Sequence, residues 1–194
     1  LQQKKYPQAQ AVYRRSLAEF PKGSLVNEVR FGLAICCEHD KKADEARRLY
    51  GQLAADKASR HADKALARLG TLEFDAKRFA EAATAWDRLT REFPKSKEVL
   101  AAQLNSGYAR FELGQYPEAI ARFRAARRHP DQATEADYWR GVSLKALDKP
   151  DEAIAAFRQA DAGKLEANLA RTTQHQWADT SSRAHDHTLT PRRC

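Results

Sequence analysis

The chain has 194 residues, of which 42% are hydrophobic and 31% charged, and its formal net charge is +8. This length suits one ordinary domain or a short repeat array, and the apolar fraction is sufficient for a core. The longest apolar run, residues 31–37, is far shorter than the roughly 20 residues of a membrane-spanning helix. These values exclude a transmembrane protein and predict a soluble one. Three cysteines, two of them adjacent, do not form a disulfide framework.

Basic residues alternate with acidic ones along the whole chain. This distribution is typical of a solvated helical surface, because a nucleic-acid site gathers its Lys and Arg on one face. We therefore expect no nucleic-acid partner. Methionine is absent and the chain begins at Leu1 with a polar run, so we expect a piece of a longer protein, with any signal peptide upstream.

One short pattern occurs five times: an alanine followed four residues later by an aromatic residue, at intervals of 34 to 37 residues. The pairs are Ala9/Tyr13, Ala46/Tyr50, Ala82/Trp86, Ala119/Phe123 and Ala153/Phe157. Small residues stand upstream of the last four alanines, at Ala34, Gly70, Gly107 and Gly141. The spacing places each alanine and its aromatic on one face of a helix. We predict helical hairpins in which small residues let the two axes approach, while the aromatic fills the wider gap beyond them.

Prolines mark where the second helix of a hairpin is predicted to end. Pro21, Pro94 and Pro130 follow three of the patterns, and proline lacks the N–H that a helix interior needs. A single hairpin cannot bury its apolar face, so the hairpins must stack. The predicted fold is therefore all-α, a right-handed α-solenoid.

The order of these residues resembles the tetratricopeptide repeat (TPR), which has a small residue, an alanine, an aromatic, a second small residue and a proline at fixed spacing. Two successive sets match the first four of these: Gly107, Ala119, Phe123, Ala126, and Gly141, Ala153, Phe157, Ala160. The tryptophan of the family's first helix is missing. More weakly, the Phe-Pro-Lys turns at 20–22 and 93–95 resemble bacterial cell-envelope TPR proteins, the Tol–Pal-associated coordinator and the β-barrel-assembly lipoprotein.

The pattern also divides the chain into segments. Residues 1–20 are predicted to contain the second helix of a truncated repeat, and complete hairpins are predicted at 23–57, 60–94, 98–129 and 132–162. We expect the polar tail, 163–194, to be disordered, although Leu165 and Leu169 could form a short capping helix at its start.

The sequence contains no nucleophile elbow, no Gly-rich phosphate loop and no His-Glu-x-x-His pair, so we expect neither catalysis nor a cofactor. Cys36 and His39 are helical neighbours, but zinc needs three or four ligands and none is close in sequence. We expect Cys36 and Cys37 to be buried as small hydrophobic residues.

Two further charged segments have structural explanations. His185, Asp186 and His187 with Cys194 could coordinate a metal, but such spacing arises easily in a polar tail, and we expect no metal site. Arg127 and Arg128 stand at a predicted helix C-terminus, where cations complement the helix dipole.

The first helix of each hairpin lines a concave groove in TPR proteins, and the resemblance predicts a binding site there. Its predicted residues are Lys64, Arg68, Asn105, Tyr108, Phe111, Tyr138 and Trp139. Aromatic rings would anchor an extended or helical peptide, and cations would hold carboxylates or carbonyls. Each ring could instead pack between hairpins, and Trp139 and Phe74 are the first candidates for the core.

The predicted function is that of a non-enzymatic scaffold that binds a peptide or protein segment in this groove, without a small-molecule substrate. The alternative is an assembly module of a longer repeat protein, for example one of the bacterial cell envelope, whose open ends stack on further repeats or on another copy. An enzyme whose catalytic domain lies upstream is a third class. The compartment stays open, because the envelope-type turns favour the periplasm and the unpaired cysteines favour the cytoplasm.

Overall fold

The computed structural model describes residues 5–162, and all the elements within this range are α-helices. In chain order they are α1 (Lys5–Glu19), α2 (Val26–His39), α3 (Ala43–Ala55), α4 (Ala62–Asp75), α5 (Phe79–Glu92), α6 (Val99–Glu112), α7 (Tyr116–Ala126), α8 (Pro130–Ala146) and α9 (Pro150–Ala162). None of these helices is both long and apolar enough to cross a bilayer. The prediction of an all-α fold built from helical hairpins is confirmed. The predicted tail and its four potential metal ligands lie outside the described range.

The chain divides into two compact units, with the boundary between Val99 and Leu100. In the first unit α1 packs on α2, α2 on α3, α3 on α4 and α4 on α5. In the second unit Gly107 of α6 contacts Phe123 of α7, α7 packs on α8, and α8 packs on α9. Within each unit, contacts therefore follow chain order, as in the stacked hairpins of a solenoid.

The aromatic residue of a hairpin lies directly on the glycine of the preceding helix. A Cβ atom added to Gly70 would come within 2.5 Å of Trp86, and one added to Gly107 would come within 2.5 Å of Phe123. The same relationship joins Gly141 and Phe157. The ring thus occupies the place that a side chain would take, rather than a gap beyond the small residues. These rings form the centre of the core, at 3% exposure or less.

Each hairpin turns through one residue in the left-handed backbone region. These residues are Lys41, Lys77, Gly114 and Asp148, with φ between 56° and 72°. The N–H of the next residue donates back to the last turn of the first helix, as Gln115 does to the Arg110 carbonyl at 2.9 Å. This bond closes the helix end in the Schellman manner. Glycine adopts such a φ without strain, and aspartate tolerates it better than lysine does.

Pro130 differs from its prediction, because it begins α8 instead of ending α7. The preceding helix stops at Ala126, and Pro130 occupies the first helical position. Proline is well suited to this place, since no hydrogen bond is lost there and its φ is already helical. Pro21 and Pro94 do lie just beyond the ends of α1 and α5, as predicted.

Candidate functional site

Two of the predicted ligand-binding cations lie on α4, in the first unit. Lys64 and Arg68 are both exposed and stand about one helical turn apart. Arg68 donates from Nη1 to Glu38 Oε1 on α2 at 3.1 Å, so its charge is already paired. Within residues 5–162 the ammonium group of Lys64 has no ion-pair partner. Lys64 is therefore the cation of this pair that is free to meet a ligand.

Glu38 connects Arg68 to the core of the first unit. Tyr50 is fully buried and donates its hydroxyl to Glu38 Oε2 at 2.8 Å. Burial, followed by this hydrogen bond, raises the pKa of Tyr50 well above its ordinary value, so the hydroxyl stays a donor at neutral pH. One carboxylate is thus held by a core hydroxyl and a surface guanidinium.

Apolar side chains of α2 lie on the same helix face as Glu38, at spacings of seven and three residues. Phe31 is half-buried and stacks on the ring of His61 with a centroid distance of 4.6 Å. Ile35 is 38% exposed. We call this region, with Phe31, Ile35, Lys64 and Arg68, the α2–α4 surface.

Three predicted aromatic residues meet in the second unit. Trp139 of α8 contacts Tyr108 and Phe111 of α6 edge to face, with ring centroids 5.2 Å and 5.3 Å apart. All three rings are half-buried and pack on a core that includes Leu104 and Phe123. Each ring therefore contributes to the core and still presents part of its surface. These three residues and Asn105 form what we call the α6–α8 surface.

Polar groups border this aromatic cluster. The Tyr108 hydroxyl donates to Glu135 Oε1 on α8, which joins the two first helices. Burial, and then this hydrogen bond, raise the pKa of Tyr108 far above its ordinary value. Asn105 lies one turn before Tyr108 and is half-buried, and its side chain forms no hydrogen bond with any residue in the described range. A half-buried amide that has no hydrogen-bond partner within the described residues can form hydrogen bonds with the backbone of a ligand.

The two neighbouring rings of α8 exchange their expected roles. Tyr138 is only 8% exposed and packs on Phe157 at 5.9 Å, so it is a core residue with little surface for a ligand. Trp139, the expected core residue, is half-buried and reaches the surface. Phe74 is half-buried and contacts Trp86 of its own hairpin at 5.9 Å.

The adjacent cysteines are buried and unpaired, at 5% and 0% exposure for Cys36 and Cys37. Burial raises the pKa of both thiols, and for Cys37 the neighbouring Glu45 adds to the rise, to about 11. His39 stacks on Tyr6, with ring centroids 3.7 Å apart. No group of three or more potential metal ligands occurs among residues 5–162. The cysteines therefore have the environment of packing residues and not of reactive thiols.

The sequence patterns did not predict one buried ionic group. Asp137 on α8 is 3% exposed, and its carboxylate lies 2.7 Å from Arg127 Nε and 2.9 Å from Arg140 Nη1. Arg127 stands at the end of α7 and was expected only to complement the helix dipole. It also connects α7 to α8. A pattern search could have found Asp137 only as a charged residue at a core-facing position of the helix.

The whole described range matches models of a single family. One model, described as tetratricopeptide repeat, matches residues 44–97, 67–126 and 104–167, and a second with the same description matches residues 1–69. A comparison with curated proteins returns no match.

Solved structures show the same fold at low sequence identity. YrrB, described as a TPR protein with an unusual peptide-binding site, is 17% identical with a TM-score of 0.71, over 89% of this chain and 84% of that one. MamA from Desulfovibrio magneticus RS-1 is 14% identical with a TM-score of 0.62, over 84% and 97%. TTC0263, a thermophilic TPR protein from Thermus thermophilus, is 18% identical with a TM-score of 0.53, over 91% of each chain. With these helical hairpins and the family matches over most of its length, the chain belongs to the tetratricopeptide repeat family, whose members are protein-interaction scaffolds.

Proposed function

We propose that this chain is a non-enzymatic scaffold that binds a peptide or protein segment on the first helices of its hairpins. The observation that carries the proposal is the α6–α8 surface, where the free amide of Asn105 adjoins three half-buried aromatic rings. Such rings offer a large apolar contact at a small entropic cost, and an amide can bind a peptide backbone. The proposed partner is a protein or a peptide.

Each residue of the α6–α8 surface has a defined part in this binding. Tyr108 is held by its hydrogen bond to Glu135 and by Trp139, so little side-chain entropy is lost when a ligand packs on its ring. Phe111 supports Trp139 from the same helix as Tyr108. Tyr138 lies 5.6 Å from Trp139 and acts from the core, as a support rather than a contact.

The α2–α4 surface of the first unit is a separate candidate contact surface, and its free charge is cationic. Lys64 is exposed and unpaired within the described residues, so it can hold a ligand carboxylate or carbonyl without breaking an existing pair. Arg68 would first have to leave Glu38, which it contacts at 3.1 Å. We therefore assign the contact with the ligand to Lys64. Arg68 instead holds Glu38 in position. Ile35 and Phe31 provide apolar area beside them.

YrrB offers a precedent, because a protein with this fold is described as having a peptide-binding site. At 17% identity the likeness extends to the fold alone. The proposal for this chain therefore depends on its own rings and its own amide.

A displayed library of random 12-residue peptides, selected on the whole chain, tests the proposal. We expect selected peptides to share an aromatic or large aliphatic residue, and to bind more weakly, by about tenfold, to the Asn105→Glu variant. The added carboxylate would lie against the ligand backbone and would need desolvation. Fluorescence polarisation with a labelled selected peptide measures the change.

A matched variant controls for the added charge. Thr84 is exposed on α5, a second helix, and within residues 5–162 its hydroxyl donates only to the Ala80 carbonyl of its own helix. We expect Thr84→Glu to bind the selected peptides like the parent chain. Equal affinity of the parent, Thr84→Glu and Asn105→Glu chains, with unchanged circular dichroism, would contradict the proposed site.

A second candidate function, an assembly module, is favoured by an apolar region at the α1–α2 turn. Phe20 and Leu25 are 64% and 61% exposed and line a cleft of about 260 Å³. Large apolar residues this exposed, close together, mark interaction surfaces. The occupant we propose is a further α-helix, because the second helices α3, α5 and α9 each pack against the first helix of their own hairpin. In that role the chain would serve a longer repeat protein, such as the envelope proteins that its Phe-Pro-Lys turns resemble.

Sedimentation velocity distinguishes this candidate from the first. If the helix comes from a second copy, the sedimentation coefficient rises with concentration for the parent chain and not for Phe20→Glu/Leu25→Glu. Peptide binding at the α6–α8 surface should be the same in both chains. A concentration-independent monomer would remove self-association from the candidate functions.

A further inference from the structure

A cleft in the first unit gathers three arginines from three successive helices. Arg14 of α1, Arg30 of α2 and Arg48 of α3 line a space of about 230 Å³. Its remaining lining is largely apolar, from Leu17, Pro21, Val26, Leu33 and Leu49, together with Glu45 and Gln52. We call this space the arginine cleft.

The arginine cleft lies on the side of α2 that faces away from the α2–α4 surface. Its stripe on α2 consists of Val26, Arg30 and Leu33. The α2–α4 surface uses Phe31 and Ile35, and Glu38 continues that face. At 3.6 residues per turn the two stripes are separated by about 140° around the helix. A ligand in the cleft would therefore not compete with one on the α2–α4 surface.

The cleft carries more positive than negative charge, since three arginines and one glutamate line it. Arg14 donates to Glu45 at 2.7 Å, and this bond lowers the pKa of the Glu45 carboxyl. Arg30 donates to the neutral amide of Asn27 at 3.0 Å. Arg30 and Arg48 form no ion pair within residues 5–162, although the charge of Arg48 helps to lower the pKa of Glu45. Two guanidinium groups with unused donors thus border one space of mixed polar and apolar lining.

We propose that the arginine cleft binds an acidic segment of a protein partner, with a glutamate or aspartate carboxylate between Arg30 and Arg48 and a neighbouring apolar side chain against Leu17 and Val26. Guanidinium groups bind carboxylates through two parallel hydrogen bonds, which no other cationic side chain can do. Leu17, Val26 and Pro21 are only partly covered, so they offer apolar contact next to the charged rim. The site extends the scaffold to a second, independent ligand.

Size and charge favour a peptide side chain over other anions. The cleft is smaller than the roughly 300–1,000 Å³ of sites that enclose whole small molecules or cofactors, so it accommodates one or two side chains. Glu45 contributes a negative charge at the rim, and its repulsion is stronger for a doubly charged phosphate than for a single carboxylate.

Titration of the whole chain with the peptide Ac-Glu-Leu-Glu-Glu-Leu-Glu-NH2 tests the proposal, with its glutamine counterpart as the neutral probe. In nitrogen-15 spectra we expect the acidic peptide to shift the Nε–Hε signals of Arg30 and Arg48, and the glutamine peptide to leave them in place. The dissociation constant should rise about tenfold or more in Arg30→Gln/Arg48→Gln, because two charge-assisted contacts are lost.

A matched pair of variants controls for net charge. Arg15 and Arg91 have side chains 80% and 71% exposed and lie outside the cleft lining. Arg15→Gln/Arg91→Gln removes the same charge and should change the dissociation constant by less than about twofold, since exposed charges act weakly at a distance. Equal weakening in both double variants would overturn the proposal, as would equal binding of the two peptides.

Two further measurements distinguish this proposal from binding of a phosphate group and from binding at another site. Inorganic phosphate that shifts Arg30 and Arg48, while the acidic peptide does not, would assign the cleft to a phosphate group and overturn the peptide assignment. Asn105→Glu should leave acidic-peptide binding unchanged. If it abolishes that binding while the arginine variant does not, the acidic peptide binds the α6–α8 surface and the cleft is not its site.

Discussion

The ring of Phe123 lies directly on the α-carbon of Gly107, and a Cβ atom at that glycine would stand 2.5 Å from the ring atom Cε1. Phe123 is fully buried, so the ring cannot move aside without disturbing its neighbours. The aromatic residue of the repeat therefore requires a small residue opposite its ring. This pairing fixes how closely the two helices of the hairpin approach.

Gly107→Ala should lower the free energy of unfolding by about 2–3 kcal/mol, because overpacking a rigid core destabilises it by more than the higher helix propensity of alanine stabilises it. Gly51 provides an internal control. It lies within α3, and a Cβ there would meet nothing within 4 Å. Gly51→Ala should stabilise the chain by about 0.5–1 kcal/mol. Urea unfolding followed by circular dichroism measures both. Effects of the same sign would contradict the role of the glycine–aromatic contact.

Asp137→Ala should cost about 3 kcal/mol, because it leaves the largely buried guanidinium of Arg140 without a carboxylate and with only the neutral amide of Gln159 as a partner. The Arg140 side chain is 13% exposed, and burial lowers its pKa although Asp137 opposes the shift. Asp131 stands in the first turn of the same helix and is exposed, so Asp131→Ala should cost only about 0.5 kcal/mol. Thermal unfolding compares the two variants. Similar melting temperatures would show that the Asp137 pairs contribute little.

The hairpins could be predicted from the sequence because their signal is local. The four-residue interval between Ala119 and Phe123 defines one helix face, and Gly107 upstream defines the face that meets it. Ala119 and Phe123 are fully buried and Gly107 lies under the ring, as this spacing requires. Short intervals determine such contacts, so no long-range information was needed.

The site could be predicted only in part, because it depends on how each helix is rotated against its neighbours. Tyr138 and Trp139 are adjacent in sequence, and α8 does not concentrate its apolar residues on one side. Which ring enters the core is decided by packing on Phe157 and on Phe111. The arginine cleft and the Asp137 pairs likewise join residues of different helices, and no single helix carries their pattern.

The stability of the chain should fall between about pH 9 and pH 11 because of Cys37. The unfolded thiol loses its proton near pH 9, whereas burial and Glu45 raise its pKa in the native state to about 11. In this window unfolding releases a proton, so higher pH favours the unfolded chain; below pH 9 both states keep the proton and the effect vanishes. Urea unfolding at pH 8 and pH 10 should show a larger loss for the parent chain than for Cys37→Ala. An equal loss in both chains would exclude this thiol as the cause.

Tyr50→Phe should destabilise the first unit by about 1.5–3 kcal/mol, the usual range for a hydrogen bond to a charged group. The variant removes the hydroxyl that donates to Glu38 at 2.8 Å and leaves that carboxylate with Arg68 alone. The ring remains, so packing in the core is unchanged. Circular dichroism during urea unfolding gives the difference in the free energy of unfolding.

Tyr138→Phe is the matched control for Tyr50→Phe. Tyr138 is also buried, at 8% exposure, but its hydroxyl forms no hydrogen bond with any residue in the described range. Removing that hydroxyl should therefore change the free energy of unfolding by less than about 0.5 kcal/mol. A double variant, Glu38→Gln/Tyr50→Phe, completes the test. If the Tyr50 effect comes from the carboxylate, the loss on adding Tyr50→Phe to Glu38→Gln should fall to about 1 kcal/mol, the value for a neutral acceptor. An undiminished loss in that background would place the cause in packing rather than in the hydrogen bond.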